Sequence, residues 1–243
     1  MAKRLREMSW TEFDCFRKAC DLVIIPSGAI EEYGPHLPMG SDIIVAEEIA
    51  KRVAEATGAL IGPSLEVGDS RVLSAFPGTM CVSESNFKGY MYDICESLRK
   101  WGFKRFLFIT GHAGNLGMIA GICKEYKVTH PDLKLAQIDW WRFASQNTGD
   151  ALKYSGYMAH GHASECGTSV MLHLRPELVN MEAAVCHKLD SENQFPDIVQ
   201  YFSIREKTPS GVIGDATIAT KEKGEAVVTL CMDRILEFVE REF

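Results

Sequence analysis

The sequence has no apolar run approaching the roughly 18 residues that a membrane span requires. Its basic start, M-A-K-R-L-R-E, is not followed by the apolar core of a secretory leader, so the expected location is the cytoplasm, with no membrane partner. Positive charge is also in deficit: 26 Lys and Arg stand against 33 Asp and Glu, and a formal charge of −7 argues against nucleic acid as a partner. The eight cysteines (Cys15, Cys20, Cys81, Cys95, Cys123, Cys166, Cys186, Cys231) include no C-x-x-C pair, and nothing points to the oxidising compartment a disulfide framework needs. Most of them read as small buried hydrophobes, Cys95 and Cys123 lying on apolar helix faces. There is no internal repeat, low-complexity tract or Pro/Ser linker, so residues 1–243 are expected to form a single domain.

What is present is a globular pattern, 46% hydrophobic and 24% charged, with enough chain to bury a substantial core. Four short runs, 22–25, 59–61, 106–110 and 135–138, are apolar on both faces, as buried parallel strands are. Between and after them, apolar residues recur at helical spacing over 42–56, 87–101, 115–128, 165–174 and 222–242, with Gly58, Gly102 and Pro176 as stops. Strands alternating with helices predict an α/β fold, a three-layer α/β/α sandwich around a mostly parallel sheet. In such sheets, ligands bind outside the carboxyl ends of the strands. The stretch 190–214, with Pro196, Pro209, Gly211 and Gly214, reads as a long loop or lid.

The polar chemistry collects at those strand ends. Residues 28–42, G-A-I-E-E-Y-G-P-H-L-P-M-G-S-D, follow the first strand and carry Glu31, Glu32, Tyr33, His36 and Asp42. G-H-A-G-N with His112 follows the third, and Asp139, Trp140 and Trp141 follow the fourth. A further cluster, A-H-G-H-A-S-E-C-G-T-S, supplies His160, His162 and Glu165 ahead of a helix. Carboxylates and imidazoles drawn from separate strand ends suit a divalent ion such as Zn, Mn or Fe. Such an ion brings the pKa of bound water to about 7 and polarises a carbonyl. Each residue also has a plainer role open to it: Asp42 can complement a helix N-terminus, Glu31 and Glu32 can be solvated loop charges, and Trp140 and Trp141 can be core or can floor a pocket for a flat ligand. His130, His173 and His187 are expected to serve packing or solvent.

The segment P-S-G-A-I-E-E-Y-G-P-H-L-P-M-G-S-D resembles the signature of the creatininase (creatinine amidohydrolase) family, P-x-G-x-x-E-Q-H-G-P-H-L-P followed shortly by Asp. F-P-G-T at 76–79, T-G-H-A-G-N at 110–115, H-A-S-E at 162–165 with Thr168 and Ser169, and G-V-I-G-D-A-T at 211–217 resemble further blocks of that family in the same order. The resemblance implies a metal-dependent hydrolase of α/β/α fold, commonly a homohexamer. It implies Glu31, Asp42 and His112 as ligands of one metal, Glu165 as a further ligand, and His162 as a proton-transfer residue. It also implies that His36 supports the loop or faces the substrate. Two departures stand out: Tyr33 replaces a histidine ligand of the second metal, and Gly114 replaces a glutamate ligand. A neutral phenol is a poor ligand. One firmly held ion, Zn ahead of Mn or Fe, is therefore expected, with any second site depending on Glu32.

The resemblance implies attack of activated water on a carbonyl, and the substrate expected from it is a small cyclic or formylated amide. Tyr33 would donate to the developing oxyanion and His162 would protonate the departing atom. Trp140 and Trp141 are candidates for lining the pocket. The alternatives are C–C hydrolysis that opens an oxidised inositol ring of the 3-dehydro-scyllo-inosose type, and a catalytically inactive metal- or metabolite-binding oligomer subunit.

Overall fold

The computed structural model describes residues 2–189, 198 and 200–243. Its strands are β1 (Lys3–Arg4), β2 (Leu22–Ser27), β3 (Leu60–Ile61), β4 (Arg105–Thr110), β5 (Lys134–Asp139), β6 (Cys186–His187) and β7 (Gly214–Asp215). Its α-helices are α1 (Trp10–Phe16), α2 (Ser41–Thr57), α3 (Glu84–Lys100), α4 (Leu116–Thr129), α5 (Trp140–Asn147), α6 (Gly156–His160), α7 (Glu165–Leu174), α8 (Ile204–Lys207) and α9 (Lys221–Glu242). Five strands form one parallel sheet in the order β1-β3-β2-β4-β5, and β6 and β7 pair as a small antiparallel ribbon.

Period-two alternation sorts the side chains of each central strand into two cores. Val23, Ile25, Phe106 and Phe108 face α3 and α4, where Phe87, Met91, Ile119 and Ile122 complete one layer. Leu22, Ile24, Leu107 and Ile109 face the opposite way, against α2, α7 and α9. The α/β/α sandwich predicted from the apolar pattern is thus the one observed. The central strands are apolar on both faces because helices cover both.

The register decides where the site lies. Ser27 pairs with Thr110 and Thr110 with Asp139, so β2, β4 and β5 end level with one another. Pro26 is tolerated inside β2 because its missing N–H faces the side where β3 has already ended. On that side its carbonyl accepts from Leu65 N at 3.0 Å. Beyond the strand ends the backbone runs very close to α2: a Cβ on Gly111 would lie 2.1 Å from the Asp42 carbonyl oxygen, and one on Gly28 would lie 2.4 Å from Ile43 N.

Trp140 and Trp141, which follow the fourth strand as expected, open a helix, α5, with Asp139 as its N-cap. The expectation that most cysteines are buried needs correction. Only Cys95, Cys166 and Cys231 are buried; Cys20 and Cys123 are half-buried, and Cys15, Cys81 and Cys186 are exposed. Of the stretch 190–214, residues 190–197 and 199 lie outside the described residues, and the remainder holds α8 and the first residue of β7. No helix among the described residues is long and apolar enough to cross a membrane.

Gly111→Ala should cost about 2 kcal/mol or more, since its Cβ meets main chain that cannot move aside cheaply. A drop in urea midpoint at unchanged m-value would show it.

Candidate metal-binding active site

Glu31 leaves the end of β2, Asp42 sits in the first turn of α2, and His112 follows β4. One ligand atom from each lies within 4.8 Å of the other two, and all three residues are buried. His112 Nδ1 is 3.1 Å from Asp42 Oδ2 and 3.3 Å from Glu31 Oε2. Its other nitrogen is committed, because Nε2–H donates to the Asp69 carbonyl at 2.8 Å. In a neutral ring that bond puts the lone pair on Nδ1, facing two carboxylates, an arrangement that requires a positive charge between them. Donor separations around a four-coordinate zinc with bonds of ~2.0–2.1 Å are about 3.3–3.4 Å, so this donor set fits a small divalent ion.

The titration directions express the same demand. Burial raises Asp42 to about 6, reinforced by the charge on Glu31. Burial also opposes charge on Glu31 and His112, but the contacts between them, and with Ser70 and Asp42, hold Glu31 below the usual carboxylate range and His112 well above the usual imidazole range. A proton is retained where no cation is supplied. Outer contacts fix the acids: Ser70 Oγ donates to Glu31 Oε2 at 2.6 Å, and Trp141 Nε1 donates to Asp42 Oδ1 at 2.9 Å.

The three residues open onto a cleft of about 620 Å³ that Tyr33, Trp141 and His162 also line. Tyr33 is buried, its ring 4.6 Å from that of His162. Burial, then the charges of Asp42 and Glu31, push its phenol well above its ordinary pKa, so it stays a neutral donor. His162 Nε2 donates to the Glu32 carbonyl at 2.9 Å and lies 3.4 Å from Glu32 Oε2. Burial opposes its charge, but Glu32 and Glu31 prevail and its pKa rises. The backbone beside it is strained: Ala163, at φ 51°, is the one non-glycine residue with positive φ among those described.

Three expected site residues lie elsewhere. Glu165 is fully buried but does not join the cluster; its carboxylate accepts from Lys223 Nζ at 2.6 Å and from the main-chain N–H groups of Lys153 and Tyr154. Trp140 is core, with no exposed surface and no place on the cleft, because α5 turns only its neighbour Trp141 toward Asp42. His36 faces Thr168 Oγ1 at 2.8 Å and supports the loop from beneath. The residues not foreseen are Asp69 and Ser70: V-G-D-S-R reads as an ordinary surface turn, and no periodicity reveals that it closes over His112.

Gly114 explains part of the pattern. A Cβ there would stand 2.2 Å from the Asp69 carbonyl oxygen and 2.5 Å from His112 Nε2, so the carbonyl that orients His112 occupies the room a side chain would need.

The family model for creatininase, creatinine amidohydrolase, matches residues 6–239. The chain belongs to the creatininase family. Creatinine amidohydrolase of Pseudomonas putida is 30% identical over 98% of this chain and 96% of its own length. The mycofactocin precursor peptide peptidase of Mycolicibacterium smegmatis (strain ATCC 700084 / mc(2)155) is 28% identical over 88% of this chain and 84% of its own. A solved structure of creatininase with Mn superposes with a TM-score of 0.85 at 27% identity, covering 100% of this chain and 99% of that one. These relatives are hydrolases, and this chain is a hydrolase of the creatininase family.

His36 offers a measurable pH signature. Burial lowers its pKa to about 4, so between about pH 6.5 and 4 the unfolded chain binds a proton that the folded chain refuses. Its neutral form therefore contributes stability that is present above about pH 6.5 and is lost, by up to about 3 kcal/mol, as pH falls through that window. His36→Asn should flatten this acid limb, read as urea midpoints against pH.

Proposed function

We propose that this creatininase-family hydrolase cleaves the C–N bond of a small cyclic or formylated amide at a single divalent ion held by Glu31, Asp42 and His112. One observation carries the reading: His112 is tied at Nε2, and its Nδ1 faces two buried carboxylates at 3.1 and 3.3 Å. The ion, zinc ahead of manganese or iron, supplies when bound Lewis acidity and water that is nucleophilic near neutral pH. The comparison with a Mn form of creatininase supports a divalent ion at this donor set. Tyr33 and the crowding at Gly114 support one ion rather than two, since neither position offers a ligand.

The other roles belong to the chain. Trp141 holds the outer oxygen of Asp42 and Ser70 holds Glu31 at the oxygen that also faces His112, so Glu31 and Asp42 need not reorganise as charge moves. Tyr33, neutral and beside the cluster, donates to the carbonyl oxygen of the substrate as negative charge builds there. His162 gives a proton to the departing nitrogen. Because its Nε2–H is engaged by Glu32, the transferring atom is Nδ1, and the Glu32 carboxylate favours the charged ring that transfer requires. The cleft, about 620 Å³, is of small-molecule size. A homo-oligomer, hexameric as the family resemblance implies, belongs to the same reading.

Elemental analysis of protein purified without chelator should find one ion per chain, absent from His112→Ala together with turnover. A variant that loses its ion and keeps its rate overturns the mechanism. Activity on a dehydro-inosose with none on amides moves the assignment to C–C cleavage, and no turnover by fully loaded protein on either class favours a binding subunit. Tyr33→Phe should keep its ion and lose about 10²–10³ in kcat.

A further inference from the structure

Asp69, whose carbonyl fixes His112, has a second engagement. Its main-chain N–H donates to the buried Asn115 Oδ1 at 3.2 Å, so the residue is held on both sides of its Cα. Its carboxylate accepts from Arg71 Nε at 2.7 Å and also from Nη2. A guanidinium carries five N–H donors in one rigid plane, and this side-on pairing uses the Nε and Nη2 edge. Among the described residues no hydrogen bond reaches Nη1. Arg71 lines the same cleft as Glu31, Asp42 and His112, and it is the only lysine or arginine among the described residues that do so.

Around it the wall is apolar, formed by Val72, Leu73 and Ile204. Once a divalent ion stands opposite Glu31 and Asp42, and Arg71 opposite Asp69, the charges of the cleft cancel in pairs. An anionic group entering there meets no uncompensated carboxylate; His162, the other basic group of the cleft apart from His112, is paired with Glu32, and Arg71 is the buttressed cation with its outer edge free. We infer that Arg71 is a specificity-determining residue that binds a carboxylate on the substrate, so that the amide cleaved here is a small carboxylate-bearing one. This rests on the hydrolase reading of the cleft and narrows it.

The test is titration calorimetry on the zinc-loaded protein with two probes that differ in one group, N-acetylglycine and N-acetylglycinamide. Wild type should bind the acid at least about tenfold more tightly, a preference of roughly 1.4 kcal/mol. Arg71→Gln should reduce the preference to within about twofold while leaving zinc content, melting temperature and the affinity for the neutral amide unchanged. Asp69→Asn, which keeps the main-chain carbonyl, should weaken the preference without abolishing it. A wild type that does not discriminate overturns the inference, and so does an Arg71→Gln variant that still prefers the acid, because the carboxylate then goes to the ion. A second arm compares N-acetyl-trialanine with its amide. An equal Arg71-dependent preference overturns the restriction to a small substrate and makes a peptide terminus the source of the carboxylate, and one confined to N-acetylglycine supports the small acid. The hydrolase reading is judged separately, by the zinc stoichiometry of wild type and His112→Ala, so either can fail without the other.

Discussion

Two buried carboxylates, both brought against one buried imidazole nitrogen, are the constraint around which this molecule is arranged. Burying Glu31 and Asp42 together is unfavourable unless positive charge stands between them. Everything that touches the trio acts to keep that place available. Asp69 turns the His112 lone pair inward, while Ser70 and Trp141 occupy the carboxylate oxygens that would otherwise rotate away. The surrounding backbone is drawn in just as tightly, and Gly28 and Gly111 let the ends of β2 and β4 pass against α2 with no side chain between.

The sheet supplies the precision this requires. Three parallel strands ending in register bring residues from far apart in the chain to one edge, and the two apolar layers behind them fix the depth at which each loop starts. Loops alone would not hold donors at such spacing; loops that leave a rigid edge can. Strain is concentrated at Ala163, next to the imidazole that lines the cleft, as expected where a rigid scaffold over-determines a functional turn.

Much of this was legible in the sequence. Two-faced apolar runs gave the central strands, and acids and imidazoles gathered at their ends pointed to a divalent ion; the choice of Glu31, Asp42 and His112 came from the resemblance to the creatininase signature, because each of the acids alone had a plainer role open to it. What was hidden was direction. Glu165 shares a motif with His162, yet its carboxylate turns to Lys223 and a neighbouring loop, and only the packing of α7 against α9 decides that. Trp140 and Trp141 are adjacent and identical, and the helix phase of α5 sends one to the core and the other to Asp42. Asp69 contributes to the site through its main chain, which no residue type announces.

The Asp69 carbonyl also bears on how such a site can change over generations. A glutamate at position 114 cannot simply be added: its first carbon would land on the oxygen that now orients His112. The segment around Asp69 would have to withdraw first, and withdrawal alone frees the imidazole to turn. Glycine at position 114 and the path of the chain at Asp69 are therefore one coupled choice, and neither can change without the other.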